Sequence, residues 1–214
     1  MPKNWKILKL KTKFTFIDLF AGIGGMRIPF EEIGGKCVFS SENDKYARSS
    51  YSSMFNEEEA TIGDDISKIE LKSIPKHDIL LAGFPCQPFS NAGLKKGFLD
   101  IRGTAFYDIQ RILEFHRPKA FLLEDVPGIK SHDEGKTMKT IMEILAVDLG
   151  YKFPKDPAIL NAKDFGLPHS RKRIFFVGFS KDKNFQFPDP LNTSTKVEDI
   201  LEEETTIDKK FIIS

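Results

Sequence analysis

Four apolar runs in this sequence each stop at residues suited to chemistry, and that repetition restricts the chain to a small set of folds. The run from Phe14 to Phe20 leads into Gly22, Gly24 and Gly25, and Lys36 to Ser41 delivers Glu42, Asn43 and Asp44. Ile79 to Ala82 precedes Gly83-Phe84-Pro85-Cys86-Gln87-Pro88-Phe89-Ser90, and Ala120 to Leu123 ends in Glu124 and Asp125. These ends can share one site only if the strands are parallel with their carboxyl ends together, the edge at which open α/β sheets bind ligands. Segments of helical character alternate with the runs: Met26 to Ile33, Lys45 to Phe55, Thr104 to Phe115, and Gly135 to Gly150. The expected fold is α/β, a doubly wound and mostly parallel sheet.

A length of 214 residues at 40% hydrophobic content suits one domain with a full core. We expect a lysine-rich amino-terminal arm over 1–13, a single domain over 14–180, and a linker over 181–214, where proline, asparagine and threonine give way to acidic residues. A further strand, Tyr151 to Asn161, and a last one, Ile174 to Phe179, complete the sheet. The formal net charge of +1 excludes a bulk basic field, although a local basic patch remains compatible with nucleic acid. Two cysteines, Cys37 and Cys86, are too few for a disulfide framework, and no signal peptide or membrane-length apolar run is present. These features point to a cytoplasmic protein with reduced thiols and no membrane association.

Cys86 stands between two prolines at the end of a strand, each of which fixes φ and restricts its predecessor, so the thiol is presented on a stiff turn. The glycines after the first strand let backbone approach a ligand at a helix amino terminus. Glu42, about twenty residues on, occupies the place where nucleotide sites put a carboxylate on the ribose hydroxyls, with Asn43 beside it. Asp44 reads as the cap of the next helix. Thr61 to Ile66 reads as a brief strand and turn, whose acids serve a ligand or turn chemistry equally well. Cys37, beside Val38 and Phe39, reads as core. The polar segment from Asn91 to Arg102 suits a mobile loop beside a site. Arg171, Lys172 and Arg173 form either a solvated turn or a grip on a phosphate and a base edge. The four histidines show no metal-ligand spacing with the cysteines, so no metal site is expected.

In this order the motifs resemble the DNA (cytosine-5) methyltransferases, from about Phe14 to Pro190. Phe20-Ala21-Gly22-Ile23-Gly24-Gly25 is similar to the family's S-adenosylmethionine motif, and Gly83 to Ser90 to its catalytic loop. Glu124-Asp125-Val126 is similar to its Glu-Asn-Val motif, and Arg171-Lys172-Arg173 to its Arg-x-Arg motif. The resemblance implies a Rossmann-like methyltransferase fold, S-adenosylmethionine as cofactor and double-stranded DNA as substrate. It also implies that Phe20 faces the adenine region, Glu42 the ribose and Asp65 the adenine amino group, with Pro85 in the pocket wall. Cytosine C5 is a weak nucleophile, and a thiolate adding at C6 makes an enamine able to take a methyl group, which is the role of Cys86. Glu124 would hold a proton or hydrogen bond at N3, Arg173 the base's O2, and Arg171 a flanking phosphate or the loop. The target base must leave the duplex stack to be reached.

Two departures from the family pattern bear on function. Asp125 stands where the family usually has asparagine, so an amide that both donates and accepts is replaced by a group that, when ionised, only accepts. The sequence ends at Ser214, about where the resemblance would place a target-recognition domain, and the expectation is a split enzyme whose second polypeptide supplies recognition, or else a truncated chain. A catalytically inactive S-adenosylmethionine-binding regulatory subunit and an RNA cytosine methyltransferase are the competing readings. Retention of Cys86, Glu124 and both arginines argues against the inactive subunit.

Overall fold

The computed structural model describes residues 12–85, 104–191 and 193–201, so Cys86 and the expected mobile loop over 91–102 lie outside the described residues. Six strands form one sheet in the order β2-β1-β3-β4-β6-β5. They are β1 (Phe14–Leu19), β2 (Gly35–Ser41), β3 (Ile79–Gly83), β4 (Ala120–Asp125), β5 (Ala158–Asn161) and β6 (Lys172–Phe179). The first four are mutually parallel, whereas β6 runs antiparallel to β4 and β5 antiparallel to β6. β1 has β2 on one side and β3 on the other, so the chain reverses its direction of winding between β1 and β3 and opens a crevice beyond their carboxyl ends.

Side-chain alternation along β1 sorts the helices. Ile17 and Leu19 belong to the large core cluster with Ile109, Ile112 and Leu113 of α3 (Ala105–His116) and Ile141 of α4 (Lys136–Glu143). On the opposite face Phe16 packs against Phe30 of α1 (Arg27–Glu32), and Asp18 meets Tyr51 of α2 (Lys45–Phe55). The sheet is therefore covered on both faces, as the doubly wound reading requires.

Local signals set the helix ends where they were legible. Asp44 caps α2, its Oδ1 accepting from the backbone N–H of Tyr46 (2.9 Å) and Ala47 (2.8 Å), and Thr104 Oγ1 accepts from Tyr107 N at the start of α3 (3.2 Å). Three expectations need correction. The run from Tyr151 to Asn161 is not one strand: only Ala158–Asn161 pairs continuously, and Lys152 makes an isolated bridge to Phe179. Pro154 and Pro157, which lack an N–H, interrupt the ladder. Thr61 to Ile66 contributes one bridge, Gly63 to Ser41, between single-turn 3-10 helices at Glu59–Thr61 and Ile66–Lys68. The last helix breaks after Glu143 into a π-helical turn, Ile144–Asp148.

Under the glycine loop lies a buried polar network. Tyr51 Oη donates to Asp18 Oδ2 (3.3 Å) and accepts from Arg27 Nη1 (3.1 Å), while Arg27 also holds Glu31 (2.7 Å) and Glu57 (2.6 Å). Burial pushes the Asp18 carboxyl up to about 7, against the hydrogen bond from Tyr51. Cys37 borders this network rather than the apolar core; it is half-buried, and burial pushes its thiol up to about 11. Of the stretch 181–201, the described residues hold no strand and a single 3-10 turn, Val197–Ile200. Part of it lies back on the domain, with Phe185 against Phe179 and Leu191 N donating to Asp164 O (2.7 Å).

Candidate active site

Beyond the carboxyl ends of β1 to β4 opens a cavity of about 600 Å³, within the ordinary range for a small-molecule site. It is lined by Phe20, Glu42, Asn43, Asp65, Pro85, Glu124, Arg171 and Arg173, eight residues that sequence reasoning placed in the site. Four strand ends and one strand beginning deliver all of them but Asp65, which precedes the Ile66–Lys68 3-10 helix. β6 runs antiparallel, so it starts where β4 stops: Asp125 pairs with Ile174, and Arg173 falls one residue beyond the end of β4. Arg173 Nε then meets Glu124 Oε1 at 2.7 Å, with both side chains about four-fifths buried. Its Nη1 donates to the backbone carbonyl of Lys172 (2.8 Å), which fixes the plane of the guanidinium. Arg171 also lines the cavity but is exposed, and Lys172 faces solvent.

The three glycines divide by function of position. Gly22 adopts a φ of +56° with open space where a Cβ would stand, and its N–H donates to Glu42 Oε2 (2.7 Å). The other oxygen, Glu42 Oε1, accepts from Asp44 N (2.8 Å), so this one carboxylate ties the loop after β1 to the loop after β2. Each of its oxygens keeps a further lone pair for hydroxyl donors. Gly24, at φ +92°, has a packing requirement instead: a Cβ there would lie 2.2 Å from Phe55 Cε2. Gly25 has open space around it, and none of the three lines the cavity. Phe20 takes a left-handed φ of 52°, an unfavourable conformation for a side chain of its size, at the point where the chain leaves β1 for the cavity.

Asp65 is engaged locally as a cap. Its Oδ1 accepts from Ser67 N (3.0 Å) and Ser67 Oγ (2.7 Å), and Oδ2 pairs with Lys68 (3.2 Å). The Ser67 bonds hold its carboxyl below the usual range. Asp125, next to Glu124, is 2% exposed; Oδ1 accepts from Val126 N (2.5 Å) and Oδ2 is buried with no hydrogen-bond partner. Burial pushes its carboxyl up to about 6, opposed by the Val126 bond and assisted by the charge of Glu124.

Gly83 and Phe84, which the sequence places in the catalytic-loop motif, also line the cavity, and sequence reasoning missed other lining residues, among them Ser41 and Asp108. Asp108 carried a legible signal, because it falls on the apolar stripe Ala105, Ile109, Ile112 of α3. It holds Arg111 Nε (2.8 Å), and Arg111 donates to the carbonyls of Ile66 and Ile69, fastening that wall of the cavity to α3. A Cβ at Gly83 would lie 3.3 Å from Glu124 Oε2, a tight contact that the carboxylate would have to relieve by shifting. Among the described residues no group of three or more His, Cys, Asp or Glu side chains could hold a metal ion, and no helix is long and apolar enough to cross a membrane.

Acids outnumber bases in the lining: Glu42, Asp64, Asp65, Asp108, Glu124 and Asp125 stand with two arginines, Arg171 and Arg173. An acidic, acceptor-rich wall suits a cationic ligand bearing hydroxyl and amino donors, and S-adenosylmethionine, with its sulfonium, ribose and two amino groups, fits that donor and acceptor set.

Comparison with known proteins agrees with this architecture. The chain is 51% identical to the type II methyltransferase M.HpaII of Haemophilus parainfluenzae over 212 residues, which covers 95% of this chain and 57% of that enzyme. It is 43% identical to the type II methyltransferase M.HhaI of Haemophilus parahaemolyticus over 213 residues, 96% of this chain and 63% of that one. The chain thus spans little more than half the length of these relatives. Among solved structures, the methyltransferase EhMeth of Entamoeba histolytica superposes with a TM-score of 0.70 at 22% identity, covering 96% of this chain and 63% of that one. A Spodoptera frugiperda DNMT2 mutant gives 0.68 at 23%, over 94% of this chain and 62% of that one, and both likenesses attest the fold. The sequence pattern described as C-5 cytosine-specific DNA methylase matches residues 14–213, and the chain belongs to that family.

Proposed function

We propose that this chain carries the cofactor site and chemical centre of an enzyme that methylates C5 of cytosine in double-stranded DNA. The observation that carries the reading is the Glu124–Arg173 pair, set in the same cavity as Phe20, Glu42 and Pro85, the residue before Cys86. S-adenosylmethionine, when bound, supplies an electrophilic methyl group. Glu42 would accept from its ribose hydroxyls, Asp65 from its adenine amino group, and Phe20, Asn43 and Pro85 would bound it. Gly22, Gly24 and Gly25 give the loop after β1 its shape at that ligand.

The target cytosine, turned out of the duplex, enters beside Glu124 and Arg173. The Cys86 thiolate adds to C6, the electron pair of the C5–C6 bond becomes available at C5, and Glu124 stabilises the charge developing at N3 by a hydrogen bond or a proton. Arg173 donates to O2 of the base while its Nε holds Glu124 in place, and Arg171, exposed at the rim, contacts a phosphate. After methylation the C5 proton passes to water, the C5–C6 double bond re-forms, and Cys86 is expelled as thiolate. The chain spans 57% of M.HpaII, and the reading leaves recognition of the DNA sequence to a region outside these 214 residues, in a second polypeptide or elsewhere in a longer chain.

Transfer of labelled methyl from S-adenosylmethionine to mixed-sequence duplex DNA tests this, with Cys86→Ala as control and tRNA as competing substrate. Label is expected in DNA with the wild-type chain, alone or complemented by a recognition subunit, and not with Cys86→Ala. Equal transfer by Cys86→Ala, or label confined to tRNA, overturns the proposal.

A further inference from the structure

Two loops at the carboxyl edge of the sheet bring acids to the cavity: Glu42 follows β2, and Asp64 and Asp65 follow Gly63. Backbone pairing joins these loops as far as Glu42, whose N–H donates to Gly63 O (2.9 Å), next to the bond from Gly63 N to Ser40 O (2.8 Å). Ser41 Oγ adds a bond to the carbonyl of Asp64 (2.6 Å). Past that point the like charges of Glu42, Asp64 and Asp65 push the loops apart.

Arg48, near the start of α2, reaches across the gap. Long side chains on a helix lean towards its amino terminus, so Arg48 lies over the residues that precede α2. Its Nη1 donates to Glu42 O, Asn43 O and Asp64 Oδ1, each at 2.8 Å. Three acceptors from two loops thus converge on one cationic nitrogen. Asp64 is exposed, and such an ion pair alone contributes little, so the two carbonyl bonds carry most of the hold. Glu42 is then fixed at both ends: Arg48 holds its carbonyl, while Gly22 N and Asp44 N hold its carboxylate. Arg48 is largely buried and does not line the cavity, so it acts from behind the wall.

We propose that Arg48 is a positioning residue of the cofactor site: its Nη1 clamps the loop after β2 to the segment carrying Asp64 and Asp65. The clamp sets the spacing between Glu42 and Asp65, the acceptors assigned to the ribose and to the adenine amino group. The proposal rests on the methyltransferase reading for the identity of that ligand.

The test titrates S-adenosylhomocysteine calorimetrically into wild type, Arg48→Met, Arg48→Lys and Tyr151→Phe, and measures the melting temperature of each. Tyr151→Phe removes the buried bond from Tyr151 Oη to Pro118 O (2.9 Å), before the start of β4 and so away from the carboxyl edge, and it reports lost stability with the clamp intact. Arg48→Met is expected to weaken binding about tenfold, the scale of a lost hydrogen bond to a charged group. Arg48→Lys restores a charged nitrogen with three donors for the three converging acceptors, and is expected to bind within about threefold of wild type. Tyr151→Phe is expected to melt lower and bind as wild type does. Should Arg48→Met not fold, Arg48→Gln takes its place with the same expectation. Equal affinity in wild type and Arg48→Met overturns the proposal, as does a loss shared by Tyr151→Phe or one that Arg48→Lys leaves undiminished. No binding by a folded wild-type chain overturns the cofactor reading itself, and this proposal with it.

Discussion

Asp18 shows how much a single residue can hide from sequence reasoning. In the sequence it is a polar residue inside an apolar strand; in the structure it is fully buried, and its Oδ1 has no partner. Its carboxyl is pushed up to about 7 from 3.8 by burial, against the Tyr51 bond and the charge of Arg27. The sign follows from linkage: a folded-state value above the unfolded one means stability that is complete below about pH 4 and lost as pH rises towards 7. In urea unfolding, Asp18→Asn is expected to gain roughly 2–3 kcal/mol on wild type between pH 5 and pH 8. A difference that stays constant over that range would contradict the burial account. Asp44, by contrast, was legible as a cap because its partners lie two and three residues away. Asp18 was not, because Tyr51 and Arg27 reach it only through the tertiary fold.

At the scale of elements, the glycine loop separates what a motif says from what packing says. Gly22 and Gly24 look alike in sequence, yet one faces open space and the other faces the ring of Phe55 on α2. Gly24→Ala is therefore expected to cost about 2–4 kcal/mol in urea unfolding, through both the left-handed φ and the clash. Placing it in a Phe55→Ala background should recover part of the loss, and strict additivity of the two substitutions would show that the ring is not the obstacle. The strands after which chemistry follows were legible because short apolar runs and their breaks are local. The β5 region was over-read as one strand although Pro154 and Pro157, each lacking an N–H for the ladder, stand in the sequence and argue against continuous pairing. The antiparallel direction of β6 was not stated from the sequence either, and it is what brings Arg173 to Glu124.

For the whole molecule, the parallel carboxyl edge and the reversal of winding between β1 and β3 convert scattered motifs into one cavity. Near-neutral net charge gave no hint of a substrate, and the gathering of six acids and two arginines around one cavity emerges only in three dimensions. The central claim is that the crevice between β1 and β3 binds S-adenosylmethionine, with Glu42 on its ribose. The most direct test is calorimetric titration of S-adenosylhomocysteine into the wild-type chain and into Glu42→Gln. Saturable binding by wild type, weakened about ten- to a hundredfold in the variant, is the predicted result, as expected for hydrogen bonds to a charged acceptor. No binding to a folded wild-type chain, or equal affinity for both, would contradict the account.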